Sequence, residues 1–228
     1  MAEWIHSHSL ILLLAAAAVF TFDWLVMNKK RLKVRWYAAL ILAVLHVIVG
    51  VACVKLFAIA EAGFDMEKAG SMSLFGSVFF LPAAYYAGAK IFKKNTADVF
   101  DTFTVPMVFT LFCARINCLA SGCCLGRIIG ETGARVPTRE TELVFYAVFL
   151  IIVAPRVFKG KGRGAAFPLF MISYGVFRFV IEFFRESTMT FGIFHLSHIW
   201  AVLSVAAGAL AFAVIKSKHS SSAPVKRG

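Results

Sequence analysis

Seven apolar stretches separated by short polar links organise this chain, at about 9–27, 36–59, 72–91, 99–119, 142–155, 165–184 and 194–215. A bilayer core needs roughly 20 apolar residues per crossing helix. Most of the stretches approach that length, and the fifth does so if it extends to Phe158. The pattern predicts an all-α, polytopic membrane protein of seven transmembrane helices. The links are too short to house a soluble domain, so 1–215 reads as a single transmembrane domain. Residues 216–228, ending SSSAPVKRG, read as a short basic, disordered tail. The first stretch lacks a basic segment before it and a small-residue cleavage site, so it is expected to be a retained helix rather than a signal peptide.

Composition agrees with the pattern. Hydrophobic residues make up 60% and charged residues only 16%, whereas an ordinary soluble domain carries about 25% charge. The net charge of +12 would suit nucleic acid, but its distribution points elsewhere. Lys29, Lys30, Arg31, Lys33 and Arg35 crowd the first link, Lys93 and Lys94 the third, and Arg156, Lys159, Lys161 and Arg163 the fifth. Lys216, Lys218, Lys226 and Arg227 fill the tail. These segments fall on one side of a seven-helix chain, which by the positive-inside rule places the carboxyl terminus in the cytoplasm and the amino terminus outside. The partner expected for this charge is the anionic membrane surface, not nucleic acid.

Against this background Arg115 and Arg178 are conspicuous, because each lies inside an apolar stretch. A cation at a helix centre costs about 2.5–3.5 kcal/mol on insertion scales, so such residues face a bundle interior and pair with something anionic. At 100° per residue Tyr174, Arg178, Glu182 and Arg185 share one helix face. One reading is an internal Arg178–Glu182 pair that only neutralises buried charge. The other notes that two arginines exceed one carboxylate, and that guanidinium surplus suits phosphate. Arg115 and Arg178 both fall roughly 6–10 Å beneath the outer boundary at 1.5 Å per residue. They either form a joint pocket for an outer-leaflet headgroup or snorkel independently. After Arg115 comes a loop with Gly122 and Gly126, which permit close backbone approach, and with Arg127, Arg135 and Arg139, which read as a funnel for anions.

Other polar positions carry less. Asp23 and His46 read as satisfied structural groups, and His195 and His198 as interfacial histidines. Cys53 and Cys113 belong to apolar helix and read as core. Cys118, Cys123 and Cys124 cluster in sequence, but C-x4-C-C lacks the paired hooks of a zinc site, so no metal is expected. A disulfide among them is open.

The two arginine segments, ARINCLASGCCLGR (Ala114–Arg127) and YGVFRFVIEFFR (Tyr174–Arg185), resemble the prolipoprotein diacylglyceryl transferase family. Its signature runs approximately G-R-x-G-N-F-x-N-G-E-x-x-G-R, matched here at Arg115, Gly122, Gly126 and Arg127. Its later motif, Y-G-x-x-R-x-x-x-E-F-x-R, is met by Tyr174, Gly175, Arg178, Glu182, Phe183 and Arg185. The chain departs from the family at Ala114, Asn117, Cys118, Ser121 and Cys123. Gly70–Ser77 lies over a glycine-rich stretch of the family, with Phe75 where the family has a histidine, and His198 stands where a glutamine is expected.

The resemblance implies seven helices with the amino terminus outside, in the bacterial cytoplasmic membrane. It implies transfer of a diacylglyceryl group from phosphatidylglycerol to the lipobox cysteine thiol of a prolipoprotein signal peptide, without a cofactor. Arg115, Arg178, Tyr174 and Glu182 would be catalytic. Arg185, Arg127, Gly126, Gly122 and Asn117 would bind the lipid headgroup. With Phe75 in place of the histidine the base is unassigned: His198 is one candidate, and ionisation of the thiol assisted by the arginines, without a protein base, is the other. The other readings are a lipid-binding relative that does not react or has altered specificity, and an anion transporter. A transporter would need polar residues through the full depth of several helices, and the inner halves here are nearly all apolar.

Overall fold

The structure, a computed structural model, describes residues 2–64, 72–130, 133–186, 190–191 and 194–221. Gly70 and Ser71 of the glycine-rich stretch and tail residues 222–228 lie outside the described residues. The chain is built from helices α1 (Ala2–Met27), α2 (Lys29–Leu32), α3 (Trp36–Glu61), α4 (Phe75–Phe79), α5 (Leu81–Ile91), α6 (Thr96–Ser121), α7 (Thr138–Phe158), α8 (Ala166–Glu182) and α9 (Leu196–Ser221). Two antiparallel hairpins are added, β1 (Ile128–Ile129) with β2 (Ala134–Arg135), and β3 (Thr190–Phe191) with β4 (Phe194–His195).

Five helices, α1, α3, α6, α7 and α9, are long and apolar enough to cross a membrane. At 17 residues α8 falls just short of their length. The third apolar stretch is not one helix. It breaks at Phe80 between α4 and α5, where Pro82 in the first turn of α5 has no N–H to donate backwards. The fold is thus a multi-pass helical bundle. Its outer faces carry exposed Ile11, Ile48, Ile151, Val180 and Leu210, which suits hydrocarbon and not water.

Helices α1, α3, α6, α7 and α9 all exceed their expected boundaries. α9 continues to Ser221, past the expected limit at 215. α7 runs from Thr138 to Phe158, one turn earlier than apolar content indicates. Pro137 sits at its start and Glu140 in its first turn, a position where the helix dipole favours an acid. The polar stretch after Arg135 is therefore helix, and Glu142 stands on its inner face. Thr138, Glu142, Tyr146, Phe149, Val153 and Val157 are all buried along that face.

Helix α6 is the axis of the bundle and packs on α1, α5, α7 and α8. Pro106 interrupts its hydrogen-bond ladder and leaves the Thr102 carbonyl without its helical donor. The Trp24 indole of α1 donates to that oxygen at 2.9 Å, inside the core. α8 and α9 pack closely because a Cβ at Gly175 would come within 2.7 Å of the Ala201 carbonyl oxygen. His46 is satisfied as expected, with its Nδ1 3.3 Å from the Tyr85 hydroxyl.

One end of the bundle is tied by an ionic latch. Arg31 reaches Asp98 at 2.8 Å and Asp101 at 2.6 Å, and Arg163 pairs with Asp98. Asp101 also accepts the backbone N–H groups of Gly164 and Ala166, at 2.7 and 3.0 Å, so an acid on α6 satisfies donors at the start of α8. The basic links before α3, before α6 and before α8 meet there, Lys94 donating to the Lys33 carbonyl at 3.0 Å. The other end of the bundle holds the site.

Candidate active site

Three helices deliver charge to one buried point. Arg115 comes from the last turns of α6, Glu142 from the second turn of α7, and Arg178 and Glu182 from α8, with Arg185 just beyond it. Glu142 is 1% exposed and is shared by three guanidiniums. Its Oε1 accepts from Arg178 Nη1 at 2.9 Å and from Arg185 Nη1 at 3.4 Å, while its Oε2 pairs with Arg115 Nε. Arg178 uses its other arm, Nη2, on Glu182 Oε2 at 2.9 Å. Arg115 and Arg178 are thus brought together as a joint site and do not snorkel apart. Three guanidiniums, two buried and that of Arg185 half-buried, face two buried carboxylates, which leaves one positive charge in surplus among these five groups.

Along α8 two arginines stand against one carboxylate, as the spacing predicts. Arg115 adds a cation from α6 and Glu142 adds a carboxylate from α7, so the surplus stays at one; Glu142 is the residue that sequence reasoning missed. Its signal in the sequence was its spacing, four residues before Tyr146 and seven before Phe149, on what became the buried stripe of α7.

An aromatic floor underlies the charges. Tyr146 and Tyr174 are fully buried with ring centroids 6.3 Å apart, and Tyr174 meets Phe75 at 5.7 Å. Phe75 also lies under Arg178, whose Cζ is 5.9 Å from the ring centroid, within range of a cation–π contact. The residue in the family's histidine position is therefore inside the site, as a platform. The hydroxyls of Tyr146 and Tyr174 and the Nε of Arg178 have no hydrogen-bond partner among the described residues. Buried donors of this kind are expected to serve something.

On the far side of Glu182 stands His195, 2% exposed. Its Nδ1 is 3.5 Å from Glu182 Oε1 and its Nε2 is 3.4 Å from Arg127 Nη2. With an arginine donor facing Nε2, that nitrogen carries the lone pair and Nδ1 the proton. His198 is farther back. Its Nδ1 accepts the His195 backbone N–H at 2.9 Å, and its ring is enclosed by Phe179, Phe183 and Phe194. His195, read from sequence as a bystander, is the histidine that touches the cluster.

The loop after α6 is clasped onto the end of α8. Gly126 bridges Arg185, and the Arg127 N–H donates to the Phe184 carbonyl at 2.9 Å. Gly126 has to be glycine because a Cβ would run into the Val136 carbonyl. Gly122 ends α6 in the left-handed region, at φ 69°. Two of the three loop arginines are committed to the clasp. Arg135 donates to the Gly126 carbonyl at 3.0 Å and to Glu186 at 2.7 Å, and Arg139 to the carbonyls of Cys118 and Cys123 at 3.4 and 3.5 Å. Only Arg127 of the expected funnel reaches the cluster. Asn117 faces away from Arg115, since residues two apart on a helix point to different sides, and its Oδ1 accepts the Ser9 hydroxyl at 2.9 Å.

Next to Arg115, Cys118 and Cys124 interact, and the Cys118 Sγ is 3.8 Å from Arg115 Nη1. The hydrogen bond from Cys118, with the Arg115 and Arg185 guanidiniums behind it, holds the Cys124 thiol well below the usual thiol range although burial opposes this.

A multi-pass helical bundle with a buried guanidinium–carboxylate cluster at one end describes a membrane protein with a charged site inside its helices. The family profile described as prolipoprotein diacylglyceryl transferase matches residues 3–214, and the chain belongs to that family. It is 32% identical over 143 residues to the phosphatidylglycerol–prolipoprotein diacylglyceryl transferase of Idiomarina loihiensis, covering 56% of this chain and 52% of that protein. The enzymes of the same name from Photobacterium profundum and Pasteurella multocida are 31% identical over 137 residues and 30% over 142. They cover 55% and 57% of this chain, and 51% and 52% of their own lengths. The chain spans about half the length of these curated relatives.

Proposed function

We propose that this chain transfers a diacylglyceryl group from phosphatidylglycerol to the lipobox cysteine of a prolipoprotein signal peptide. The reaction takes place at the outer leaflet of the bacterial cytoplasmic membrane. The observation that carries this reading is the surplus positive charge of Arg115, Arg178 and Arg185 around Glu142 and Glu182, into which one phosphodiester charge fits. In this arrangement the chain crosses seven times, with α4 and α5 together as the third crossing and α8 as the sixth. The latch end, with its basic links, faces the cytoplasm, and the amino terminus lies outside.

The substrate sulfur attacks the glyceryl carbon that carries the phosphate oxygen. A C–S bond forms as the C–O bond breaks, and glycerol phosphate leaves with the bonding pair. Arg178 and Arg115 hold the phosphodiester and stabilise charge growing on the leaving group. The Tyr174 hydroxyl donates to the same oxygens, Glu182 orients Arg178, and Arg185 and Arg127 receive the headgroup at the mouth. The thiol proton goes to Nε2 of His195, positioned by Glu182 as a general base. His195 is favoured over His198 because it contacts both Glu182 and Arg127. The 3.5 Å separation from Glu182 is long, as such contacts are before substrate binds.

The test is incubation of the purified protein with phosphatidylglycerol vesicles and a lipobox peptide, following the peptide mass. A diacylglyceryl adduct is expected, forming at a rate that His195→Gln lowers. Retention of phosphatidylglycerol without any adduct would instead establish a binding relative. The Phe75 platform favours that second reading, because phenylalanine cannot move a proton.

A further inference from the structure

Beside the arginine cluster but outside its hydrogen-bond core, three thiols converge. Cys118 lies on the last turn of α6; Gly122 then turns the chain back, and Cys124 takes a left-handed backbone at φ 58°. These left-handed turns bring Cys123 and Cys124 over the end of the helix that carries Cys118. All three sulfur atoms lie within 4.8 Å of one another, and all three cysteines are free thiols. The C-x4-C-C spacing does not announce this, because it offers one hook without the second that zinc sites pair with it. Here the helix end itself serves as one arm.

We propose that Cys118, Cys123 and Cys124 form a trithiolate site for a thiophilic d10 cation, with Cu(I) the best match and Zn(II) the second. Metal–sulfur bonds of about 2.3 Å put three sulfurs in a trigonal plane about 4 Å apart, so the cluster has to contract by less than about 1 Å. Soft thiolate ligands select Cu(I) and Zn(II) over hard cations. Three sulfurs complete a trigonal Cu(I) centre, whereas Zn(II) needs a fourth ligand.

The surroundings suit the charge as well. A cation held by three thiolates is a net anion, of charge −2 with Cu(I), and it would sit beside guanidiniums rather than carboxylates. Arg115 Nη1 approaches the Cys118 sulfur at 3.8 Å, and the Ser121 hydroxyl donates to the Cys123 sulfur at 3.3 Å. Contacts of this kind orient ligands from behind. Arg139 fixes the ligand loop by donating to the backbone carbonyls of Cys118 and Cys123. Each thiol releases its proton as its metal–sulfur bond forms, with no change of oxidation state.

The full chain, purified in detergent under anaerobic, reducing conditions, would be titrated with Cu(I) against a chromogenic Cu(I) chelator and, separately, with Zn(II) against a chromogenic zinc chelator. One equivalent of Cu(I) is expected to bind, with a sulfur-to-metal absorption in the near ultraviolet. Cys123→Ser, at an exposed position, is expected to weaken binding at least about 100-fold while leaving the unfolding temperature in place. X-ray absorption separates the arms: three sulfurs alone for copper, three sulfurs and one lighter atom for zinc. Failure of both cations to bind stoichiometrically, or binding that Cys123→Ser leaves unchanged, overturns the site. So does a Cys118–Cys123 or Cys118–Cys124 disulfide in protein acid-quenched directly from cells. None of these outcomes touches the transfer reading when its assay is run on protein stripped of metal by a chelator.

Discussion

Arg178→Ala is expected to lower diacylglyceryl transfer by roughly 100- to 1,000-fold, the usual effect of removing one preorganised donor from a developing charge. This one guanidinium ties several groups of the site together. It joins Glu142 to Glu182 through separate nitrogens, each at 2.9 Å, and lies over the Phe75 ring. On the proposed reading its removal takes a donor from the phosphodiester. It also leaves two guanidiniums facing two carboxylates, and so cancels the surplus charge proposed to attract the headgroup. Arg178→Lys should rescue little, because an ammonium cannot span both carboxylates and stack on a ring at once. The measurement is the mass of the lipobox peptide after incubation with phosphatidylglycerol. Wild-type transfer by Arg178→Ala would sink the headgroup-clamp assignment.

The largest effect on stability is expected at Glu142. Removing one partner of a buried ion pair costs about 3–5 kcal/mol, because the other charge is left uncompensated, and here three guanidiniums share the carboxylate. Glu142→Gln should therefore lower the unfolding temperature in detergent by roughly 10 °C. Combining it with Arg115→Gln should recover part of the loss, since the buried surplus returns to one. Equal unfolding temperatures for Glu142→Gln and wild type would show that the carboxylate is not the keystone of the cluster. The double variant separates electrostatics from packing, because it removes charge without removing volume.

The face carrying Tyr174, Arg178, Glu182 and Arg185 was legible because it lies within one helix, where spacing alone decides which side chains meet. The pairing of Arg115 with Arg178 was legible from depth, since both sit near the same end of apolar helices. Glu142 was not, because apolar content hides a polar first turn, and Thr138–Thr141 resembles a loop until Pro137 and Glu140 are recognised as a helix start. His195 meets Glu182 directly, and it meets Arg127 through the clasp of the α6–α7 loop onto the end of α8, where Arg127 and Arg185, 58 residues apart in sequence, join. The same tertiary contact decides that Arg135 and Arg139 clasp rather than funnel. The break at Phe80 had a local signal in Pro82, which hydropathy does not register.

The position of Glu142 also bears on how the chain enters the bilayer. Helix α6 emerges from the ribosome carrying Arg115 before its counter-ion has been made, and the carboxylate arrives only with the second turn of α7. The smallest electrically balanced insertion unit on that side of the bundle is thus the α6–α7 hairpin. The translocation machinery should hold α6 until its sequel appears, a delay visible as poorer membrane integration of α6 when α7 is cut away.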